Sequence, residues 1–237
     1  MTAVSDELIP RNPCAIKGAG IEHADERPML DISTVFDLAD AIVPRLRAYV
    51  LVAGFCTLRP GELLGLQRRD IDLLHGTVRV NREAQEITGQ GRILTAPKSE
   101  AGDRSVELPP PTQAELSHHM DAYVAPEPDA YVFTRPSGRP LRRSDLSNAW
   151  HAACAVVGID GVHPHDLRHF AGTTTARMPG ITTKELMSRM GHASPRAALI
   201  YQHATQERDR VVADYLGERS SIEVASPTEI SLPSSCL

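Results

Sequence analysis

Apolar positions recur with two different periods along this chain of 237 residues, and the changes of period divide it into segments. Met1 to Leu30 is rich in Pro, Gly and charge, holds no sustained period, and predicts a linker-like lead-in. DISTVFDLADAIVP then places Val35, Phe36, Leu38 and Ile42 on one helical face, with Asp31 or Ser33 available to cap it. A second apolar helix is predicted from about Arg45 to Cys56. Pro60 opens a third, with Glu62 in its first turn and Leu63, Leu64 and Leu66 as its buried side. The period falls to two in HGTVRVNRE, and two further short runs follow, GRILTAP (91–97) and DRSVELP (103–109), the latter pair joined by the turn-forming KSEAGD. These runs predict a small antiparallel sheet of three strands. Helical spacing resumes after Pro109–Pro111, with Thr112 capping a helix to near Tyr123 and Ser144 capping DLSNAWHAACAVV. Further helices are predicted over 165–177, 183–190, 195–201 and 205–216. The closing SSIEVASPTEISLPSSCL has no period and predicts disorder. The fold class is therefore α+β, mostly helical, with one three-stranded antiparallel sheet.

Composition narrows the classes. Hydrophobic residues make up 41% of the chain but aromatics only 4%, so aliphatic side chains and alanine must fill the core. The most apolar run, Ala48 to Leu58, falls far short of the ~20 residues a bilayer requires, and MTAVSDELIP has no apolar signal region. A cytoplasmic protein without a membrane partner is expected. Cys14, Cys56, Cys154 and Cys236 lack metal-type spacing and read as reduced thiols. The net charge of −5 argues at first against nucleic acid, but its distribution reverses that. Residues 1–40 hold three basic against eight acidic residues, and 206–237 three against six, whereas 131–196 hold nine against four. A basic centre between acidic ends suits a face that contacts phosphate.

Four segments carry candidate chemistry: TLRPGELLGL with Arg59, the KSEAGD turn with Lys98, HPHDLRHF with His165 and Arg168 three residues apart, and MGHASPRAALIYQHAT with His192 and Tyr201. Taken singly, each has a plain alternative. Arg59 can be an ion-pair partner of Glu62, Lys98 an exposed turn residue, Tyr201 a core side chain of the run AALIY, and His163, His165 and His169 a set of metal ligands. His118 and His119 read as solvent-facing, and Tyr215 is the competing nucleophile. Taken together, the residue types fit one task. A phosphodiester gathers negative charge during attack, and arginine offers a planar fork that stays cationic. A tyrosine with a pKa of ~10 needs cations nearby to become a nucleophile. A general acid must release its proton, which lysine can do and arginine effectively cannot; the chain has 22 arginines and three lysines, Lys17, Lys98 and Lys184.

In this order these segments resemble the catalytic domain of the tyrosine recombinases, and within them the phage and actinobacterial integrases. The resemblance runs from about Asn12 to Glu218. It implies that Arg59 and Arg168 clamp a scissile DNA phosphate, that His165 and His192 complete the phosphate-binding ring with His165 assisting proton transfer, and that Lys98 protonates the leaving 5′ oxygen. Tyr201 would attack to give a 3′-phosphotyrosine link, with Glu62 supporting the first arginine. It implies no cofactor and no metal. Its partners would be double-stranded attachment-site DNA, a homotetramer on that DNA, and possible host DNA-bending and directionality factors. Arg135, Arg139, Arg142 and Arg143 are candidates for contacts to the DNA backbone.

The expected organisation is a junction at 1–30 leading from an N-terminal core-binding domain that the chain does not carry, a catalytic domain at 31–218, and a disordered tail at 219–237. Autonomous recombination by such a chain is expected to be weak, since affinity follows the number of phosphate contacts. Other functions compatible with the sequence are a nicking-closing enzyme of the type IB topoisomerase kind, a non-catalytic DNA-binding remnant of a prophage integrase, and, more remotely, a metal-dependent hydrolase.

Overall fold

The computed structural model describes residues 5–10, 30–87, 89, 91–97 and 99–201. The predicted helix over 205–216, the 219–237 tail, most of the 1–30 junction, Tyr215 and Lys98 lie outside the described residues.

Eight helices and five short strands are described. Helix α1 (Ile32–Ala41) starts where Asp31 accepts the backbone N–H of Thr34 at 2.7 Å, which satisfies one of the donors a helix start leaves open. A 3-10 turn (Pro44–Leu46) leads into α2 (Arg47–Cys56), whose buried residues run from Ala48 through Gly54. A helix apolar on every side belongs in the middle of a fold, and α2 is packed against α1, against α4 (Pro110–Tyr123) and against α6 (Asp166–Ala176). Trp150, on α5 (Arg143–Val157), is wholly buried and donates its indole N–H to the carbonyl of Val162 at 2.8 Å. Cys56 and Cys154 are buried free thiols, and burial pushes that of Cys56 up to about 12.

The strands pair differently from the sequence expectation. A three-stranded antiparallel sheet is present, but it consists of β1 (Ile71–Asp72), β2 (Thr77–Val80) and β5 (Arg104–Glu107), in that order. The GRILT run does not join β5 across KSEAGD. It forms β4 (Gly91–Thr95) and pairs with β3 (Glu83–Ile87), Ile87 opposite Gly91, as a separate ribbon. The reason lies in side-chain character. β2 and β5 alternate cleanly and set Val78 directly opposite Val106 on the core side, whereas on β3 and β4 only Ala84 is buried and Ile87 and Leu94 are exposed. The KSEAGD segment holds a 3-10 turn at Glu100–Gly102.

His119 is a second correction. His118 is exposed, but His119 on the same helix is buried, with its Nε2 2.8 Å from the Val132 carbonyl and its ring against Phe133. Burial holds its pKa below the usual histidine range.

After α6 come α7 (Thr183–Met190) and α8 (Pro195–Leu199). Thr182 caps α7, its hydroxyl accepting from the Glu185 N–H at 3.2 Å while Glu185 accepts the Thr182 N–H at 2.8 Å. These two helices have a small core of their own, Leu186, Met190 and Ala198, beside the main one. Among the described residues no helix is long and apolar enough to cross a membrane.

Candidate active site

The site is built on the end of α7. The last carbonyls of a helix lack intrahelical donors and carry its partial negative charge. Here three successive carbonyls are each taken by a side chain from elsewhere. Arg189 O accepts the Thr57 hydroxyl at 2.9 Å and Arg104 Nε at 3.0 Å. Met190 O accepts Arg168 Nη2 at 2.7 Å, and Gly191 O accepts Arg59 Nη2 at 2.9 Å. Gly191 ends the helix at φ +65°, and a Cβ there would stand 2.6 Å from Arg104 Nη1, so glycine is required on both counts.

Arg59 precedes α3 (Pro60–Gly65), and its own N–H is accepted by Glu62 Oε2 at 2.8 Å. Glu62 also accepts Arg59 Nη1 at 2.7 Å and two bonds from Arg104, at 2.9 and 3.1 Å. Arg59 is thus both the ion-pair partner of Glu62 and a member of the site. Burial alone would raise the Glu62 carboxyl, but the bonds and charge of Arg104, with those of Arg59, outweigh it and hold the group below its usual range.

Arg168 is 3% exposed and lies across the centre. It donates to the carbonyl of Thr57 and to Met190 O, and its Nη2 stands 3.2 Å from His192 Nε2. Thr57 closes α2 in the left-handed region at φ 58°, which a β-branched residue seldom adopts and which costs about 1–3 kcal/mol. That conformation lets its carbonyl receive Arg168 while its hydroxyl reaches Arg189 O. Burial, then the charges of Arg59 and Arg104, lower the Arg168 pKa to about 10, so it is still a cation at neutral pH. His192 is held down to about 4 by burial first, then by Arg168, Arg59 and Arg104. Its Nε2 therefore accepts from Arg168, and its Nδ1 is buried without a hydrogen-bond partner among the described residues.

Tyr201 follows α8. Its ring lies 6.2 Å from that of His192, nearly parallel, and its hydroxyl is 2.9 Å from His169 Nδ1. The ring rests on α6 at Gly172, where a Cβ would be 3.0 Å from Tyr201 Cε1 and 2.7 Å from Met190 Cε. Burial raises the Tyr201 pKa, opposed by the charges of Arg168 and Arg59. His165 is exposed and meets His169 edge-on with centroids 4.8 Å apart. Asp166 opens α6 and accepts the His163 N–H at 2.7 Å, which sets the turn that presents both histidines. Among the described residues no three His, Cys, Asp or Glu side chains are grouped to hold a metal ion.

The residues flanking position 98, Pro97 and Ser99, line a pocket of about 140 Å³ together with Arg59, Glu62 and Gly191. The four backbone-contact candidates lie elsewhere along the chain. Arg135 is 3.6 Å from Asp145, its N–H bonds the Arg139 carbonyl at 2.8 Å, and Arg139, Arg142 and Arg143 are exposed around the start of α5.

Sequence reasoning missed Arg104 and the bond between His169 and Tyr201. Arg104 had a signal: it stands in phase with Val106 and Leu108 on the inward side of its strand, where an arginine must have a partner. His169 had none, since its partner is 32 residues away.

Residues 27–208 match the family described as the phage integrase family. The chain belongs to the phage integrase family of tyrosine recombinases. This integrase-family chain is 37% identical over 222 residues to the prophage phiRv2 integrase of Mycobacterium tuberculosis, covering 92% of the chain and 58% of that protein. It is 32% identical over 225 residues to the integrase of Mycobacterium phage L5, covering 92% and 59%. It therefore spans under two thirds of the length of these relatives. Among solved structures, the Tn1549 transposon integrase in complex with transposon right end DNA superposes with a TM-score of 0.77 at 19% identity, over 91% of the chain and 74% of that structure. At that identity the likeness establishes the fold.

Proposed function

We propose that this chain is the catalytic part of a site-specific recombinase that cuts and rejoins double-stranded DNA through a 3′-phosphotyrosine at Tyr201. The observation that carries the reading is an imbalance of charge. Arg59, Arg104 and Arg168 gather around the end of α7 with Glu62 as the carboxylate that Arg59 and Arg104 bond, and Arg168 and His192 are both pushed toward their neutral forms, by burial first and then by the surrounding cations. An anion entering this centre relieves that repulsion, and the relief grows as charge builds on the phosphate during attack. Arg59 and Arg168 are the clamp, His192 and His165 complete the ring, and Tyr201 attacks. Lys98 is the acid for the 5′ oxygen, a role supported by the flanking residues that line the Arg59 pocket. Arg135, Arg139, Arg142 and Arg143 serve the DNA backbone. A covalent phosphotyrosine conserves the energy of the broken bond, so rejoining needs no nucleotide cofactor. Assembly as a tetramer on attachment-site DNA and a cytoplasmic, nucleoid-associated location go with this reading.

The test is incubation of the chain with nicked attachment-site DNA, followed by denaturing electrophoresis. Wild type forms an adduct resistant to denaturation and Tyr201→Phe forms none. An adduct that survives in Tyr201→Phe moves the nucleophile elsewhere.

A further inference from the structure

We propose that His169 is the proton acceptor for Tyr201 during strand cleavage. This rests on the reading of Tyr201 as the nucleophile, and it puts on His169 the removal of the phenol proton, where the resemblance implies only that His165 assists proton transfer. A phenol must lose its proton as it attacks, and a base has to stand within hydrogen-bond reach of it. His169 Nδ1 is 2.9 Å from the Tyr201 hydroxyl. The other groups around that hydroxyl are poor bases. His192 is stacked on the ring face, its Nε2 is occupied by Arg168, and its cationic surroundings disfavour a proton. Arg59 and Arg168 are cations already. His165 is exposed and meets His169 edge-on.

The far side of His169 supplies an exit. The residue is half-buried and lines a cleft of about 830 Å³ whose wall also holds Asp31, Asp166 and Arg177. Among the described residues, Tyr201 and His165 meet His169 directly and Asp31, Asp166 and Arg177 line the same cleft, with His192 beyond the phenol ring. A proton taken on Nδ1 makes an imidazolium whose ring borders this cleft, where Asp31, Asp166 and Arg177 also stand. In the step itself the Tyr201 O–H bond breaks and an N–H bond forms on His169, the phenol oxygen bonds to phosphorus, and the P–O5′ bond breaks with Lys98 giving its proton to the leaving oxygen. In rejoining, the His169 proton returns to the phenol and Lys98 recovers its own, so the cycle balances.

The experiment measures single-turnover adduct formation by the full chain on nicked DNA between pH 5.5 and about 9, the span over which an imidazole and then a phenol titrate. Wild type, Tyr201→Phe, His169→Asn and His169→Gln are compared, with thermal melts and DNA affinity measured for each. Asn and Gln keep a hydrogen-bond acceptor but cannot take the proton. Both are expected to bind DNA as wild type does and to cleave about 100-fold more slowly. The wild-type rate rises with the ionisation of an imidazole and then levels, whereas the variants' rates keep rising toward the phenol's own range. DNA with sulfur in place of the bridging 5′ oxygen needs no acid for its leaving group, so it restores Lys98→Ala but not the His169 variants. His169 variants that match wild type, cleave faster, or are slower with an unchanged pH profile overturn the assignment. A wild-type chain that forms no adduct, or Tyr201→Phe that does, overturns the nucleophile reading beneath it. A histidine variant that fails to melt cooperatively is replaced by the other, and by nitrogen NMR of the DNA-free wild type, in which a proton resident on Nδ1 at neutral pH overturns the proposal.

Discussion

Arg59 and Arg104 are tied to Glu62, and Arg59, Arg104 and Arg168 to the end of α7, by bonds that draw in α2, α3, β5 and α6, whereas among the described residues Tyr201 meets its surroundings through a bond from its hydroxyl to His169, its ring against His192 and Gly172, and a cluster of three buried residues. The charged centre is anchored to a core that includes Tyr49, Phe133, Trp150 and most of the aliphatic side chains, whereas the tyrosine packs with the small cluster. The difference teaches how the two parts divide the work. Electrostatic stabilisation is effective when the donors are fixed before charge develops. On the proposed function Tyr201 must approach, bond and later release, which needs a support that yields, and sparsely packed elements open at lower free energy than the core.

The comparison breaks most directly at Glu62. Glu62→Gln leaves buried guanidinium groups without their counter-charge and is expected to cost about 3–5 kcal/mol, read from urea denaturation. A loss below about 1 kcal/mol means the arginines do not depend on the shared carboxylate. Truncation in the two cores comes next. Leu38→Ala, in the main core, is expected to cost about 2–5 kcal/mol of global stability. Leu186→Ala, in the small one, is expected to cost less than half of what Leu38→Ala does globally while quickening hydrogen exchange of the α7 amides and slowing adduct formation. Equal global losses would show a single cooperative unit and erase the contrast.

Gly172→Ala puts a methyl against the Tyr201 ring and Met190 and is expected to cost about 1–3 kcal/mol. Adduct formation should fall more than stability does, because the ring is displaced from His169; activity retained in full would mean the ring has another seat. The smallest effect is on acid stability. His192 in the folded chain stays neutral down to about 4 against an ordinary 6.5, so on acidification the unfolded chain binds this proton first. Its contribution is whole above about pH 6.5, is lost as pH falls from there to about 4, and changes no further below. The melting temperature should therefore slope downward over that window, and less steeply in His192→Gln. Added inorganic phosphate should raise the His192 pKa, seen by NMR titration, since an anion in the centre offsets the three arginines. A pKa that stays put would mean that phosphate does not enter.

Much of this was written in local patterns. Asp31 before an apolar period and Pro60 before Glu62 each mark a helix start by the physics of open N–H donors, and those starts stand where the pattern puts them. The candidate site residues stand out as an ordered set because each segment carries an unusual residue for its setting, and the structure brings Arg59, Arg168, His192 and Tyr201 of that set together. Strand partners were not legible. β4 follows β3 and precedes β5 at similar distances, and only the burial of valines on β2 and β5 decides which pairs form. Arg104 was overlooked because strand alternation was read for its apolar members. The histidine next to Arg168 acquires its meaning from a tyrosine that the chain's spacing does not point to.

The bonds that assemble the charged centre span long stretches of chain: 132 residues between Thr57 or Arg59 and the end of α7, 111 between Thr57 and Arg168, and 42 between Glu62 and Arg104. Closing such loops costs entropy before any contact repays it, and distant contacts form slowly. A chain emerging from synthesis holds Arg59 and Glu62 long before α7 exists to receive them. On the proposed function, its phosphate-binding centre is complete only when folding is nearly finished, which would keep nascent chains from seizing nucleic acid before they can act on it.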